Sequence, residues 1–251
     1  MRGLHLALLM VGAGCLLGGA SAWAVDAVVP AGTSAAPATL AQAPSTAPPA
    51  APPAQANDTL VYEPPRRGAP ASRISGATRG AGAGQAEVLV LAPEATGLTL
   101  EAAPTLYWHL SAPAGAAVEV TVTEDGVPAP IVEAHLPLPA GGGIQAFSLA
   151  AQHASLRPGI EYQWSVALVI DPADRSRDVV ASARIRRVAA SPELEARLAR
   201  AAPRERPAIL AAASIWYDAI AELSSAAGRD PRAGEGRAAL LRQVGLAQAA
   251  R

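Results

Sequence analysis

Asp171, Asp174 and Asp178 crowd together with Ser176 and offer enough oxygens to surround a calcium ion. Arg175 and Arg177 are interleaved with them, however, and supply counter-charges that oppose a cation. The stretch reads first as a salt-bridged turn, with calcium as the alternative. Arg66, Arg67, Arg73 and Arg79 lie among Gly and other small residues. Their guanidinium forks suit carboxylates, phosphates or anionic glycans; the plainer reading is a solvated linker. Tyr217 and Asp218 follow Trp216. They read as a fastening for their helix, with Asp218 reaching the sandwich or one of those arginines, or else as an interaction site. Glu119, Glu161 and Asp218 are carboxylates that an enzyme acting on a polymer would need as a pair, but nothing in the sequence brings two of them together. His109, His135 and His153 show no metal-ligand spacing and read as exposed or loop residues. Gly80-Ala81-Gly82-Ala83-Gly84 lacks the following helix and the Lys of a phosphate loop, and no nucleophile elbow occurs. No catalytic residue, cofactor or metal is expected.

The balance of 20 basic residues, all of them Arg, against 21 acidic ones argues against a nucleic-acid partner. Much of the 51% apolar content is Ala, and aromatics make up only 4%, so the few large side chains mark the core. Arg2, the apolar run Leu4–Leu17 and the small residues of Ala22-Trp23-Ala24 predict a signal peptide over 1–24, cleaved after Ala24. The run is too short and too rich in Gly for a membrane span, so none is expected in the mature chain. Cys15 does not read as a lipoprotein site, because Gly12 rather than a Leu-like residue stands three positions before it. Cleavage removes that sole Cys. It leaves no disulfide and no thiol chemistry, so the domain must be held by its core alone.

The elements that position these residues follow in order. Residues 25–62 are an Ala/Pro-rich tether unable to bury enough area to order itself, and 63–85 are the Arg/Gly segment. From 86 to 190 the pattern has period two. Strands are expected at Val88–Leu91, Leu106–Leu110, Val118–Val122, Ile131–Leu136, Ile144–Leu149, Ile160–Ile170 and Val179–Ile185. About seven short strands at this spacing fit an antiparallel β-sandwich of the immunoglobulin or fibronectin type III kind. Leu156-Arg157-Pro158-Gly159 before Ile160, Tyr162 and Trp164 resembles the tyrosine corner of those domains, and Trp108 sits where they place a core Trp. Leu156, Tyr162, Trp164, Trp108 and Trp216 therefore read as core.

From 191 to 248 the period turns helical. Ser191-Pro192 caps a first helix, and Pro203 and Pro207 interrupt or restart it. Ile209, Ala213, Trp216, Ile220 and Leu223 predict one long apolar stripe. A loop is expected over Gly228–Gly236, with Leu240, Leu241 and Val244 on a short last helix. The fold class is thus mainly β with two to three short C-terminal helices.

Several landmarks together resemble the bacterial DUF928 family, a domain of unknown function. They are Arg67-Gly68-Ala69-Pro70 with Thr78-Arg79-Gly80, Gly97-Leu98-Thr99 before Pro104-Thr105-Leu106-Tyr107-Trp108, the Asp171–Asp178 turn, and Ser214-Ile215-Trp216-Tyr217-Asp218-Ala219. They run in order over about residues 63–246. Ser214 stands where the family has Gly. Ala81-Gly82-Ala83-Gly84 stands where relatives carry a Cys, so a disulfide made there has no counterpart here. The resemblance implies an exported bacterial protein and supplies no activity. The expectation is a non-enzymatic protein of the periplasm or the extracellular space that binds an envelope protein or glycan of unknown identity. An accessory factor for secretion or assembly and an enzyme acting on envelope polymer are the alternatives.

Overall fold

A computed structural model describes residues 60–65, 86–113, 115–137 and 141–250. The signal segment with Cys15 and Ala24, most of the tether, and Arg66, Arg67, Arg73 and Arg79 lie outside the described residues. Among the described residues there are eight strands: β1 (Val88–Val90), β2 (Gly97–Thr99), β3 (Thr105–Leu110), β4 (Ala117–Glu124), β5 (Pro130–Leu136), β6 (Gly143–Ser148), β7 (Glu161–Val169) and β8 (Val179–Arg187). They form a three-stranded sheet ordered β1-β3-β6 and a five-stranded sheet ordered β2-β8-β7-β4-β5. The chain is mainly β with C-terminal helices.

Alternation decides which side chains face inward. On β3, Leu106, Trp108 and Leu110 are buried, while Tyr107 and His109 between them are only half-buried and face away from the inter-sheet core. Val118, Val120 and Val122 on β4 do the same from the opposite sheet, as do Tyr162, Trp164 and Val166 on β7. Each large aromatic buries roughly 150–250 Å², worth on the order of 5 kcal/mol at about 25 cal/mol per Å² before conformational entropy is charged. Trp108, Trp164 and Trp216 are all buried almost completely, and they do what a missing disulfide cannot.

One strand goes beyond the seven expected. β2 pairs in parallel with the end of β8, Gly97 opposite Ile185 and Thr99 opposite Arg187. Three residues beginning with Gly carry no readable alternation, and parallel pairing between distant segments leaves no turn signal. The turn that the sequence reads as a tyrosine corner has these contacts. The Arg157 amide donates to the Tyr162 hydroxyl at 3.2 Å, and Leu156 packs inward beside it. Gly159, with φ +78°, makes the turn between them and donates its amide to the Arg187 carbonyl.

The C-terminal region contains four helices rather than two or three: α1 (Pro192–Arg200), α2 (Arg206–Ala212), α3 (Trp216–Ala227) and α4 (Pro231–Gln243). Ser191 caps α1 by accepting from the Leu194 amide, as its sequence implies. The long stripe expected from Ile209 to Leu223 is two helices. Ser214 has φ +66°, a left-handed conformation that stops α2, and α3 starts afresh at Trp216. Gly adopts this backbone most cheaply; the resemblance places Gly at this position. The loop expected to Gly236 is also shorter, because Asp230 caps α4 and the helix starts at Pro231. Gly236 is helical for a packing reason: a Cβ there would lie 3.1 Å from Leu223 Cδ2. A side chain there would require Leu223 to give way by a few tenths of an ångström.

Helices and sheets share one hydrophobic core, which runs from Val88 and Trp108 through Trp164 to Trp216, Leu223 and Leu241. Residues 60–65, the first three of which the sequence places in the tether, dock on this helical region. Tyr62 is buried with its ring edge-on to Trp216 at 4.7 Å. Gln243 accepts from the Tyr62 amide and donates to the Leu60 carbonyl, while Glu63 bonds to Ala211 and Ser214.

Candidate binding groove

The side chains singled out in the sequence divide into fasteners and surface pairs. Trp216 donates its indole N–H to the Leu91 carbonyl at 2.8 Å. The Tyr217 hydroxyl accepts from Trp164 Nε1 at 2.8 Å and donates to the Arg184 carbonyl at 3.0 Å. Burial pushes the Tyr217 hydroxyl far up, so it stays protonated and can fill both roles. Asp218 accepts from Thr99 Oγ1 at 3.1 Å and from the Leu100 amide at 2.9 Å. Burial raises its carboxyl to about 6 despite those two bonds. Three consecutive residues of α3 thus grip Leu91 just after β1 together with β2, β7 and β8. They fasten the helix to the sandwich, and the Arg/Gly segment is not needed to explain them.

The Asp171–Asp178 turn is knit by its own arginines. Arg175 meets Asp178 at 2.6 Å, Arg177 meets Asp171 at 3.8 Å, and Ser176 bonds to Asp174 through both its amide and its hydroxyl. Glu161 is held by Thr96 and Arg184. Glu119 and Asp218 each have separate partners, so the three candidate carboxylates do not form a shared pair. The histidines are where sequence spacing misleads. β4 and β5 pair Glu119 with His135 and Thr121 with Glu133. This register gathers ligand atoms of Glu119, Glu133 and His135 within 4.8 Å of one another. Two residues are exposed, and Arg175 lies 3.3 Å from the third, Glu119, where a metal ion would have to displace it.

A different constellation forms beside the three-stranded sheet, where α3 packs near β3 and α4 packs on α3. Tyr107 and His109, pointing out from β3, face Ser224 near the end of α3 and Arg237 in the middle of α4. They line a groove of about 600 Å³ whose remaining walls are mainly small, Gly143 and Ala146 on β6 and Ala227 on α3. His109 Nδ1 and Ser224 Oγ are buried and have no hydrogen-bond partner among the described residues. Burial lowers the His109 pKa and so favours a neutral imidazole. Arg237 is half-buried, its guanidinium is disfavoured by that burial, and its one electrostatic neighbour is Tyr107 rather than a carboxylate. Burial likewise raises the Tyr107 hydroxyl, with Arg237 pulling the other way. By contrast Arg157, Arg175, Arg184 and Arg206 each sit against an acid.

Unpaired polar groups in a partly dry site are costly, because each forfeits water without gaining a partner. Two such atoms, His109 Nδ1 and Ser224 Oγ, belong to residues that line one concave surface with Tyr107 and Arg237. Sequence reading missed Ser224 and Arg237 because more than a hundred residues separate them from His109 and no motif spacing links them. The alternation that points Tyr107 and His109 away from the sandwich core was the one available signal.

No curated protein and no solved structure matches the chain. A family model described as Domain of Unknown Function (DUF928) matches residues 74–251, which spans β1–β8, α1–α4 and the groove between them. The chain belongs to the DUF928 family.

Proposed function

We propose that this is an exported, non-catalytic binding module whose ligand occupies the groove between β3, β6, α3 and α4. The observation that carries the reading is that Tyr107, His109, Ser224 and Arg237 line one groove in which Arg237 has no acidic partner among the described residues. Their chemistry is that of recognition: a fixed charge and several donors, with no nucleophile held against a base. Export to the periplasm or beyond is supported by the Arg2, Leu4–Leu17 and Ala22-Trp23-Ala24 pattern. The immunoglobulin-like reading of the sandwich is supported by the corner at Tyr162 and by the sheet orders β1-β3-β6 and β2-β8-β7-β4-β5. The partner is an envelope component. Two measurements test this together. Fractionation with N-terminal sequencing is expected to find a chain starting at Val25 outside the cytoplasm; a cytoplasmic chain retaining Met1 contradicts export. Capture from solubilised envelope by the wild type, lost in Arg237→Gln, is expected; equal capture by both contradicts the groove.

A further inference from the structure

Resting on the groove being the binding site, we infer that it recognises a carboxylated sugar of the uronic-acid class. The argument starts with charge. One guanidinium, half-buried and without an acidic partner among the described residues, is compensated by one carboxylate, which Arg can grip with two parallel bonds. A phosphate monoester would bring close to two negative charges to a single cation and leave the excess in a partly desolvated site.

The other groups suit sugar hydroxyls. A hydroxyl both donates and accepts, and so does the Tyr107 hydroxyl. The neutral His109 ring, which also lines the groove, offers one donor and one acceptor. The space, about 600 Å³, is of the size that takes small ligands.

An acidic peptide fits less well. Peptide grooves earn specificity from apolar pockets for anchor side chains, and the walls here are Gly143, Ala146 and Ala227 with one Ile144. The ligand is therefore read through a carboxylate on one side and ring hydroxyls on the other.

The test uses the mature chain and four probes in calorimetric titration: a glucuronate disaccharide, its methyl ester, a short Glu-containing peptide and inorganic phosphate. The acid sugar is expected to bind. Esterification is expected to weaken it roughly 10-fold to 100-fold, as loss of a hydrogen bond to a charged group does. Arg237→Gln is expected to cause a similar loss, Arg237→Lys a smaller one, and Arg232→Gln, on the exposed start of α4, none. Circular dichroism of each variant separates misfolding from lost recognition. Equal affinity for acid and ester overturns the inference, as does no binding of the acid. Arg237-dependent binding of the peptide or phosphate alone overturns the sugar assignment but leaves the groove as the site. Loss of Arg237 dependence with every probe and with envelope extract removes both.

Discussion

The hydroxyl of Tyr217 is the best single place to test how the helices are joined to the sheets. It accepts from Trp164 Nε1 and donates to the Arg184 carbonyl, and both Tyr217 and Trp164 are buried. Tyr217→Phe keeps the ring and its edge-on contact with Trp164 at 6.4 Å, so little apolar burial is lost. It strands the Trp164 N–H away from water. The Arg184 carbonyl suffers less, since its strand also pairs with β7 through Gln163. One orphaned buried donor costs about 1–3 kcal/mol. For a domain of this size that is roughly 2–4 °C in melting temperature per kcal/mol. The assay is urea denaturation followed by Trp fluorescence, repeated in a Trp164→Phe background where no N–H remains to be stranded. There the Tyr217→Phe cost is expected to shrink by at least about 1 kcal/mol, a coupling that a double-mutant cycle isolates. An equal cost in both backgrounds refutes the bond as a contributor.

Asp218 makes stability depend on pH. Its folded-state pKa of about 6 lies above the ordinary aspartate value. The folded chain therefore holds the proton more tightly, and this contribution is present at low pH and lost as pH rises from about 4 through 6, by on the order of 3 kcal/mol at most. Asp218→Asn is expected to flatten the profile in that window, measured as denaturation midpoint against pH; an unchanged slope contradicts the assignment. Gly97→Ala is expected to destabilise by about 1–3 kcal/mol, because its new Cβ would lie 2.6 Å from Tyr217 Cε2 and the doubly bonded ring cannot move aside freely; a neutral Ala variant shows that α3 has slack. Arg237→Gln is expected to keep or raise the melting temperature, because an unpaired half-buried charge is retained for binding rather than for stability. A drop of several degrees would mean that Arg237 has a structural partner instead.

Most of the sandwich was legible because burial on one face of a strand imposes alternation on the sequence. Leu106, Trp108 and Leu110, or Tyr162, Trp164 and Val166, announce both their strand and its inner face. The corner was legible because Leu156, Gly159 and Tyr162 act within a few residues of one another. What stayed hidden depends on partners far along the chain. β2 exists through its parallel pairing with β8. Tyr62 is ordered through Trp216 and Gln243, although its surroundings in sequence read as tether. The break at Ser214 was hidden by an apolar stripe that continues in phase across it, since hydrophobic spacing cannot sense the sign of φ. Tyr217 and Asp218 were recognisable as important, and their spacing alone could not say whether they reach outward or grip the sheets. The groove was least legible of all. His109 was noted and read as exposed, and what changes its meaning is that α4 brings Arg237 to the same groove.

The most direct measurement is an NMR titration of the isotopically labelled mature chain with a glucuronate disaccharide, following the Arg237 side-chain Nε–H and the amides of Tyr107, His109 and Ser224. Saturable shifts confined to these signals, with slowed exchange at Arg237 Nε–H, are the expected result. Shifts spread over the β4–β5 face, or none at saturating sugar, would contradict it.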